Sequence, residues 1–230
     1  MKLILTCEHG GNHIPKEYES YFKNKKNVLN SHLGYDLGAL DIFKTLAPLA
    51  NYAHYSETSR LLIELNRSLH HPNLFSTITK PLAKDLKAEI ISTFYHPYRI
   101  AVASKIRDYI KYNEWVVHLS IHSFTPVFKN TERNCDMGLL YDPKRKLEKQ
   151  FCKQLKSSLN AKDVNLNIRY NYPYLGKSDG FTTYLRKTFP KHYMGIELEV
   201  NQKFSDTNII SSHIKEVLYQ SLREQFKSCF

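Results

Sequence analysis

The chain has 230 residues, of which 42% are hydrophobic and 24% are charged. A chain of this length and composition can bury a substantial core, which excludes an intrinsically disordered protein and predicts one domain over residues 1–230. The formal net charge is +11, but the basic residues are scattered and no nucleic-acid-binding motif occurs. A lysine-rich solvated surface is therefore favoured over a nucleic-acid interface.

In chain order, the hydrophobic pattern predicts strands and helices that alternate. It predicts a strand at 3–6, a helix at 36–46, strands at 51–56 and 61–65, a helix at 97–112, strands at 115–121 and 138–141, a helix at 147–159, a strand at 165–170, a helix at 181–186, a strand at 194–200 and a helix at 209–226. Because the strand segments are almost continuously apolar, the pattern favours a three-layer α/β fold. In such a fold, helices cover both faces of a mostly parallel sheet.

The cysteines and the hydrophobic runs bear on the cellular compartment. The four cysteines, at positions 7, 135, 152 and 229, form no C-x-x-C pair and no zinc-finger spacing. The first apolar stretch is too short for a signal peptide, and no run approaches the roughly 20 residues that span a bilayer. We therefore expect a cytoplasmic protein with free thiols and no membrane partner.

Polar residues follow the predicted strands at the points where the strands end. His9 follows the first strand, Asn66 and Arg67 follow 61–65, His122 follows 115–121, and Glu199 stands near the end of 194–200. In parallel α/β sheets, sites form in the crevice beyond the carboxyl ends of the strands. We therefore expect these five residues to meet at one site.

The two histidines are candidate metal ligands. Imidazoles are common zinc ligands, and a catalytic zinc site uses three protein ligands and a water. The alternative for His9 is a turn histidine bonded to backbone. His118, four residues before His122 on the same strand, is expected to be a packed core residue.

Two carboxylates, Glu197 and Glu199, lie in the apolar strand 194–200 and share one face of it. Burying them is costly unless they are paired or used in chemistry. One could act as a general base, and the other could pair with Arg60 or Arg67. The alternative is that this face of an edge strand is exposed to solvent.

Arg60 and Arg67 frame the segment SRLLIELNRS. A guanidinium binds a carboxylate through two parallel hydrogen bonds, so these arginines suit an anionic substrate. The alternative is a structural ion pair with Glu64. Asp36, at the opening of a predicted helix, is either a helix cap or a carboxylate ligand. No G-x-S-x-G motif surrounds Ser123, which disfavours a serine hydrolase.

Five segments, CEHGGNHIP, HLGYDLGA, SRLLIELNRS, HSFTP and IELEVNQ, extend in that order from residue 7 to residue 202. Together they resemble the N-formylglutamate amidohydrolase family, and in particular its divergent branch with a CEH start. That family is similar to the zinc carboxypeptidase and aspartoacylase group. The resemblance implies a mixed α/β sheet of the zinc-carboxypeptidase (phosphorylase/hydrolase-like) type and one zinc ion, bound by an H-x-x-E pair and a distant histidine.

Carried over by position, the resemblance implies His9 and His122 as metal ligands and Glu199 as the general acid/base. The ELNR sequence resembles the DLNR of the aspartoacylase-like enzymes, which implies a role for Asn66 and Arg67 in holding a substrate carboxylate. Arg60 is a further substrate-binding candidate.

The third metal ligand departs from the pattern. Asn12 stands where the glutamate of the H-x-x-E pair would be, and asparagine is a poor zinc ligand. Asp36 and Glu8 are the candidates to replace it. Asp36 is preferred, because an acidic residue stands at that place in the resembling amidohydrolases.

The resemblance implies a zinc-dependent amidohydrolase that cleaves the amide of a small anionic N-acyl amino acid such as N-formylglutamate. The alternatives are a carboxypeptidase or a hydrolase of another N-acyl amino acid on the same scaffold, and a basic nucleic-acid-binding protein. Zinc is favoured as the cofactor, although a site of two histidines and one carboxylate also suits manganese, iron or cobalt.

Overall fold

A mixed six-stranded sheet lies at the centre of the protein. The computed structural model describes residues 1–227. The strands in that range are β1 (Lys2–Cys7), β2 (Tyr52–Tyr55), β3 (Val116–Phe124), β4 (Val127–Phe128), β5 (Thr131–Glu132), β6 (Met137–Leu140), β7 (Ile168–Tyr170), β8 (Tyr193–Asn201), β9 (Ser205–Asp206) and β10 (Ile209–Ile210). The order in the central sheet is β2-β1-β3-β8-β6-β7.

Four neighbouring strands of this sheet, β2, β1, β3 and β8, run parallel. β6 pairs antiparallel with β8, and β7 runs parallel to β6. The carboxyl ends of β1, β3 and β8 therefore lie side by side at one edge. The prediction of a mostly parallel, mixed sheet is confirmed.

Helices cover both faces of the sheet. The α-helices are α1 (Lys26–Leu29), α2 (Ala39–Leu46), α3 (Lys84–Ile90), α4 (His96–Lys111), α5 (Lys146–Lys162), α6 (Phe181–Thr188) and α7 (Ser212–Lys227). Short 3-10 segments cover Lys16–Phe22, Ala47–Leu49 and Gln202–Phe204, and a π-helical turn covers Ile91–Tyr95.

Two hydrophobic cores flank the sheet because successive strand side chains point to opposite faces. Leu3 and Leu5 of β1 pack in the core that contains α2, α5 and α7. Ile4, between them, packs in the other core with α4 and α6. The prediction of a three-layer fold with helices on both faces is thereby confirmed.

The segment 61–65 is not a strand. It forms turns that are buried against the second core. The carbonyl oxygen of Leu61 accepts hydrogen bonds from the Ser76 hydroxyl, at 2.6 Å, and the Thr79 hydroxyl, at 3.2 Å. Side chains therefore satisfy backbone groups that a neighbouring strand would otherwise pair, and the prediction of a strand here is wrong.

Two helix starts also differ from the sequence pattern. α2 begins at Ala39 rather than at residue 36, since Gly38 adopts a left-handed conformation with φ of 78°. The last helix begins at Ser212, because Ile209–Ile210 pairs with Ser205–Asp206 as a short ribbon.

The cysteines and the lengths of the helices bear on the expected compartment. Cys7, Cys135 and Cys152 are buried free thiols, and Cys229 lies outside the described residues. Among residues 1–227, no helix combines the length and the apolarity needed to cross a membrane.

Candidate active site

Three neighbouring strands bring the candidate residues together. His9 stands on the turn after β1, His122 lies near the end of β3, and Glu199 lies directly opposite His122 in the β3–β8 register. The ring centroids of His9 and His122 are 5.0 Å apart. The convergence expected at the strand ends is therefore present for these three residues.

Asp36 completes a compact cluster with the two histidines. Its Oδ2 atom lies 3.1 Å from Nδ1 of His9 and 2.9 Å from Nδ1 of His122. The cluster is buried, and one ligand atom from each residue lies within 4.8 Å of the others. Two imidazoles and one carboxylate are a donor set that suits zinc and other divalent transition metals. The residues present therefore fit a metal ion.

The outer nitrogens of both imidazoles are also held by carboxylates. Nε2 of His9 contacts the Glu64 carboxylate. Nε2 of His122 lies 3.2 Å from Glu8 and 2.9 Å from the Ser120 hydroxyl. Such outer contacts fix the orientation of metal-binding histidines and make them stronger ligands.

The alternatives for the third ligand lie elsewhere. Glu8 is fully buried and faces the nitrogen of His122 that points away from Asp36, where it also accepts hydrogen bonds from Ser120 and Tyr98. The Asn12 side chain donates to the Leu29 carbonyl oxygen, at 3.2 Å. Of Asp36, Glu8 and Asn12, Asp36 alone belongs to the cluster with His9 and His122.

Arg60 links the two carboxylates that flank His9. Its Nη1 donates to Asp36 at 3.1 Å, and its Nε donates to Glu64 at 2.9 Å. The ion pair with Glu64 considered for this segment is thus formed by Arg60. Burial opposes ionisation of Glu64, but the charges of Arg60 and His9 hold its pKa well below the usual value.

Asp36 shows the same balance. Burial would raise its pKa, but the charge of His9 and the hydrogen bonds from both imidazoles hold it well below the usual value. Burial lowers the pKa of His122, yet the hydrogen bonds and charges of Asp36 and Glu8 raise it well above the usual value. Asp36 and His122 therefore stabilise each other's ionised forms.

Glu199 differs from the other carboxylates of the site. It is buried, and within residues 1–227 its Oε2 atom has no hydrogen-bond partner. Burial is the main cause that raises its pKa to about 8; His122 opposes the shift, while Asp36 and Glu197 add to it. A buried, unpaired carboxylate oxygen is costly, so Glu199 is a candidate functional group.

These residues line a cleft of about 240 Å³. Asn66 and Arg67 form part of its wall, with Nδ2 of Asn66 3.4 Å from Nε2 of His122. The Arg67 guanidinium donates from Nη1 to the backbone oxygen of Asp179, and within the described residues its other nitrogens have no hydrogen-bond partner. Arg67 therefore keeps donors for an anionic ligand.

The comparison with protein families supplies the deciding observation. The model of the N-formylglutamate amidohydrolase family matches residues 1–204. The chain belongs to this family. Membership makes it a hydrolase that acts on an amide, with a small substrate derived from an amino acid. No curated protein sequence matches the chain significantly.

Solved structures share the fold. A gene product of Agrobacterium tumefaciens is 23% identical, with a TM-score of 0.80, over 97% of this chain and 91% of that chain. The N-formylglutamate amidohydrolase of Ralstonia eutropha is 13% identical, with a TM-score of 0.72, over 99% of this chain and 93% of that chain. At these identities the likeness concerns the fold.

Several residues of this amidohydrolase cleft are beyond what the sequence predicted. Tyr174, Ser178 and Asp179 line it from the loop before α6, and no periodic pattern marks that loop. The sequence predicts Glu64 only as a partner for arginine, yet this residue also contacts His9. A carboxylate inside an apolar run was the available signal, because such a group needs a buried partner.

The expectations for His118 and Glu197 have different outcomes. His118 is a fully buried core residue, as expected, and its ring bonds the Thr6 hydroxyl at 2.7 Å and the Tyr193 hydroxyl at 2.8 Å. Glu197 pairs with neither Arg60 nor Arg67; its carboxylate accepts a hydrogen bond of 2.7 Å from Thr182.

Proposed function

We propose that this amidohydrolase is metal-dependent and cleaves the amide of an N-acyl amino acid, with N-formylglutamate as the first substrate to assay. The observation that carries the proposal is the cluster of His9, Asp36 and His122 at the strand ends, with Glu199 beside it. The family supports amide hydrolysis, and the donor set supports a divalent metal.

His9, Asp36 and His122 would hold the ion, for which zinc is the first candidate. When bound, such an ion supplies a Lewis acid that polarises the carbonyl of the amide and favours ionisation of water. The contacts of Glu64 and Glu8 with the outer nitrogens would keep both rings oriented toward the centre of the cluster.

Glu199 would act as the general acid/base. It accepts a proton from the attacking water as the water oxygen bonds to the carbonyl carbon. It then gives the proton to the amide nitrogen as the C–N bond breaks, so that a carboxylic acid and a free amine leave. In the metal-free protein its pKa is raised to about 8 by burial, and a cation bound beside it would lower that pKa toward the neutral range that suits this exchange.

Arg67 and Asn66 would bind the carboxylate of the substrate and orient the amide. Arg60 also lines the cleft, and we retain it as a substrate-facing residue. Its hydrogen bonds to Asp36 and Glu64 give it a further role in holding the carboxylates around His9.

Metal analysis combined with formate release from N-formylglutamate tests the proposal. We expect one divalent ion per wild-type chain, and loss of both metal and activity in His9→Ala and His122→Ala. His213→Ala, at an exposed histidine on α7, is the matched control and should retain both. Full metal occupancy in both site variants would contradict the assignment.

Besides the site residues and the metal, three further expectations stay predictions: one domain over residues 1–230, a cytoplasmic location, and the absence of a nucleic-acid partner. For the last, weak binding of RNA and DNA is expected at physiological salt. Tight binding that falls steeply with salt would instead indicate that the net charge of +11 serves nucleic acid.

A further inference from the structure

A second cavity adjoins the candidate active site. It has a volume of about 270 Å³ and shares the side chains of Asp36, Arg60, Ser123 and Tyr174 with the first cleft. The shared residues include Asp36, a member of the His9–Asp36–His122 cluster, so the second cavity borders that cluster.

The walls of the second cavity are more apolar than those of the first. Leu33, Leu61, Phe124 and Phe128 contribute to them. Leu33 is 52% exposed and Phe128 is 43% exposed, so apolar side chains face solvent at the mouth. Apolar groups that are exposed beside a cleft commonly mark a ligand-binding surface.

This wall is held in place by neighbouring contacts. Phe128 belongs to the β4–β5 ribbon, and the Arg133 guanidinium lies 4.6 Å from the centre of its ring and 5.2 Å from that of Tyr174. Nη1 of Arg133 donates to the Thr125 hydroxyl at 3.2 Å. The Arg133 guanidinium contacts the rings of both Phe128 and Tyr174, so this wall is preorganised for a ligand.

The charges in the second cavity disfavour an anionic ligand. Among the described residues that line it, the ionised side chains are Arg60, Asp36 and Glu64. Arg60 already pairs with both carboxylates. The first cleft, by contrast, contains Arg67 with donors to spare.

We propose that the second cavity binds the acyl group of the substrate, and that this group is an apolar chain or ring larger than formyl. The inference rests on the proposed function. Arg67 lines the first cleft but not the second cavity. With the substrate carboxylate at Arg67 and the amide at the cluster, the acyl group would extend away from Arg67 into the cavity that shares Asp36 with the cleft. Hydrolysis then releases an apolar carboxylic acid and the free amino acid. A formyl group has only a hydrogen on its carbonyl carbon, so it has no substituent that could occupy the second cavity.

A series of acyl groups on one amino acid tests the inference. We expect kcat/KM to rise at least about tenfold from N-formyl-L-glutamate to N-phenylacetyl-L-glutamate, because the ring leaves water. In Phe128→Ala the ratio of the two kcat/KM values should fall about fivefold or more. Leu147→Ala is the matched control and should leave the ratio unchanged, since Leu147 is similarly exposed but lies beside the first residues of β8.

Binding of the acid products gives a readout that does not require turnover. Phenylacetate should bind the metal-loaded wild-type protein at least about tenfold more tightly than acetate in calorimetry, and Phe128→Ala should remove most of that difference. Equal binding of the two acids, or a preference for the formyl substrate, would overturn the inference.

The two proposals fail in distinguishable ways. If N-formylglutamate is cleaved and phenylacetate gains nothing over acetate, the proposed function stands and the acyl assignment falls. If neither amide is cleaved, the proposed function falls, and the phenylacetate measurement still decides whether the second cavity binds an apolar acid.

Discussion

One oxygen of Asp36 faces both imidazoles of the cluster. Replacing this carboxylate should therefore remove a metal ligand. Replacing Glu8 should only remove the contact that orients His122 through its outer nitrogen, Nε2. We expect Asp36→Ala to lower metal affinity at least about a hundredfold, and Glu8→Gln to lower it about tenfold to a hundredfold, the range measured for outer contacts of metal ligands. Competition with a chromogenic chelator measures both affinities. A larger loss in Glu8→Gln would make Glu8 the third ligand.

Glu199 should cost the protein stability at alkaline pH. Its folded-state pKa of about 8 lies above the usual value of 4.5, so the folded state binds the proton more tightly than the unfolded state. Stability is therefore lost as pH rises from about 4.5 to 8. We expect Glu199→Gln to raise the free energy of unfolding of the metal-free protein at pH 8 by on the order of 3 kcal/mol, and to have little such effect at pH 5.

Urea unfolding at the two pH values in the presence of a chelator measures this difference. Glu19→Gln, on the exposed 3-10 segment, is the control and should show no pH-dependent gain. If the difference in free energy of unfolding between Glu199→Gln and wild type is the same at pH 5 and pH 8, the pKa of Glu199 is not raised. The same variant should lose amide hydrolysis, since it has no proton to exchange.

The helices α5 and α6 are joined to β8 by a buried ion pair. Arg186 of α6 donates to Glu148 of α5 at 3.0 Å and to the Gly195 carbonyl oxygen of β8 at 2.6 Å. We expect Arg186→Met to lower the free energy of unfolding by about 3–5 kcal/mol, because Glu148 then remains buried with less compensation. Denaturant titration measures the loss. The double variant Arg186→Met/Glu148→Met should recover part of it, and an equally unstable double variant would contradict the charge argument.

The sequence predicted most elements of the central sheet because their signals are local. β3 and β8 are predominantly apolar runs, and the ends of the predicted strands placed His9, His122 and Glu199 in advance. The turns at 61–65 could not be predicted in this way. An apolar run indicates that a segment is buried, but it does not indicate which groups form hydrogen bonds with its backbone. That partner is a pair of hydroxyls, on Ser76 and Thr79, whose approach depends on the path of a loop.

The rest of the site was less predictable for the same reason. The prediction of Asp36 as a ligand rests on the resemblance, because helical spacing does not place this residue beside both histidines. Tyr174 and Asp179 lie on a loop before α6, and loops carry no periodic pattern. The contact of Glu64 with His9 follows from the turns that replaced the predicted strand.

The net charge of +11 acts on the molecule as a whole. A positive protein attracts an anionic substrate over a range that salt shortens to about 10 Å at 0.1 M ionic strength. We expect kcat/KM for N-formylglutamate to fall about twofold to fivefold between 0.02 and 0.5 M sodium chloride, mainly through KM. Initial rates over that series measure the effect. A value of kcat/KM that does not change with salt would show that the surface charge plays no part in capture.

The pairing of β1 with β3 has a consequence for biosynthesis. Asp36 and His122 are 86 residues apart in the chain, and Glu8 and Ser120 are 112 apart. While the protein is being translated, His9 and Asp36 leave the ribosome long before His122 does. A nascent chain that ends before β3 thus offers one imidazole and one carboxylate of the cluster, a weak chelator. The proposed ion would therefore bind only after β3 has paired with β1. Its identity would then depend on which metals are available in the cell at that time.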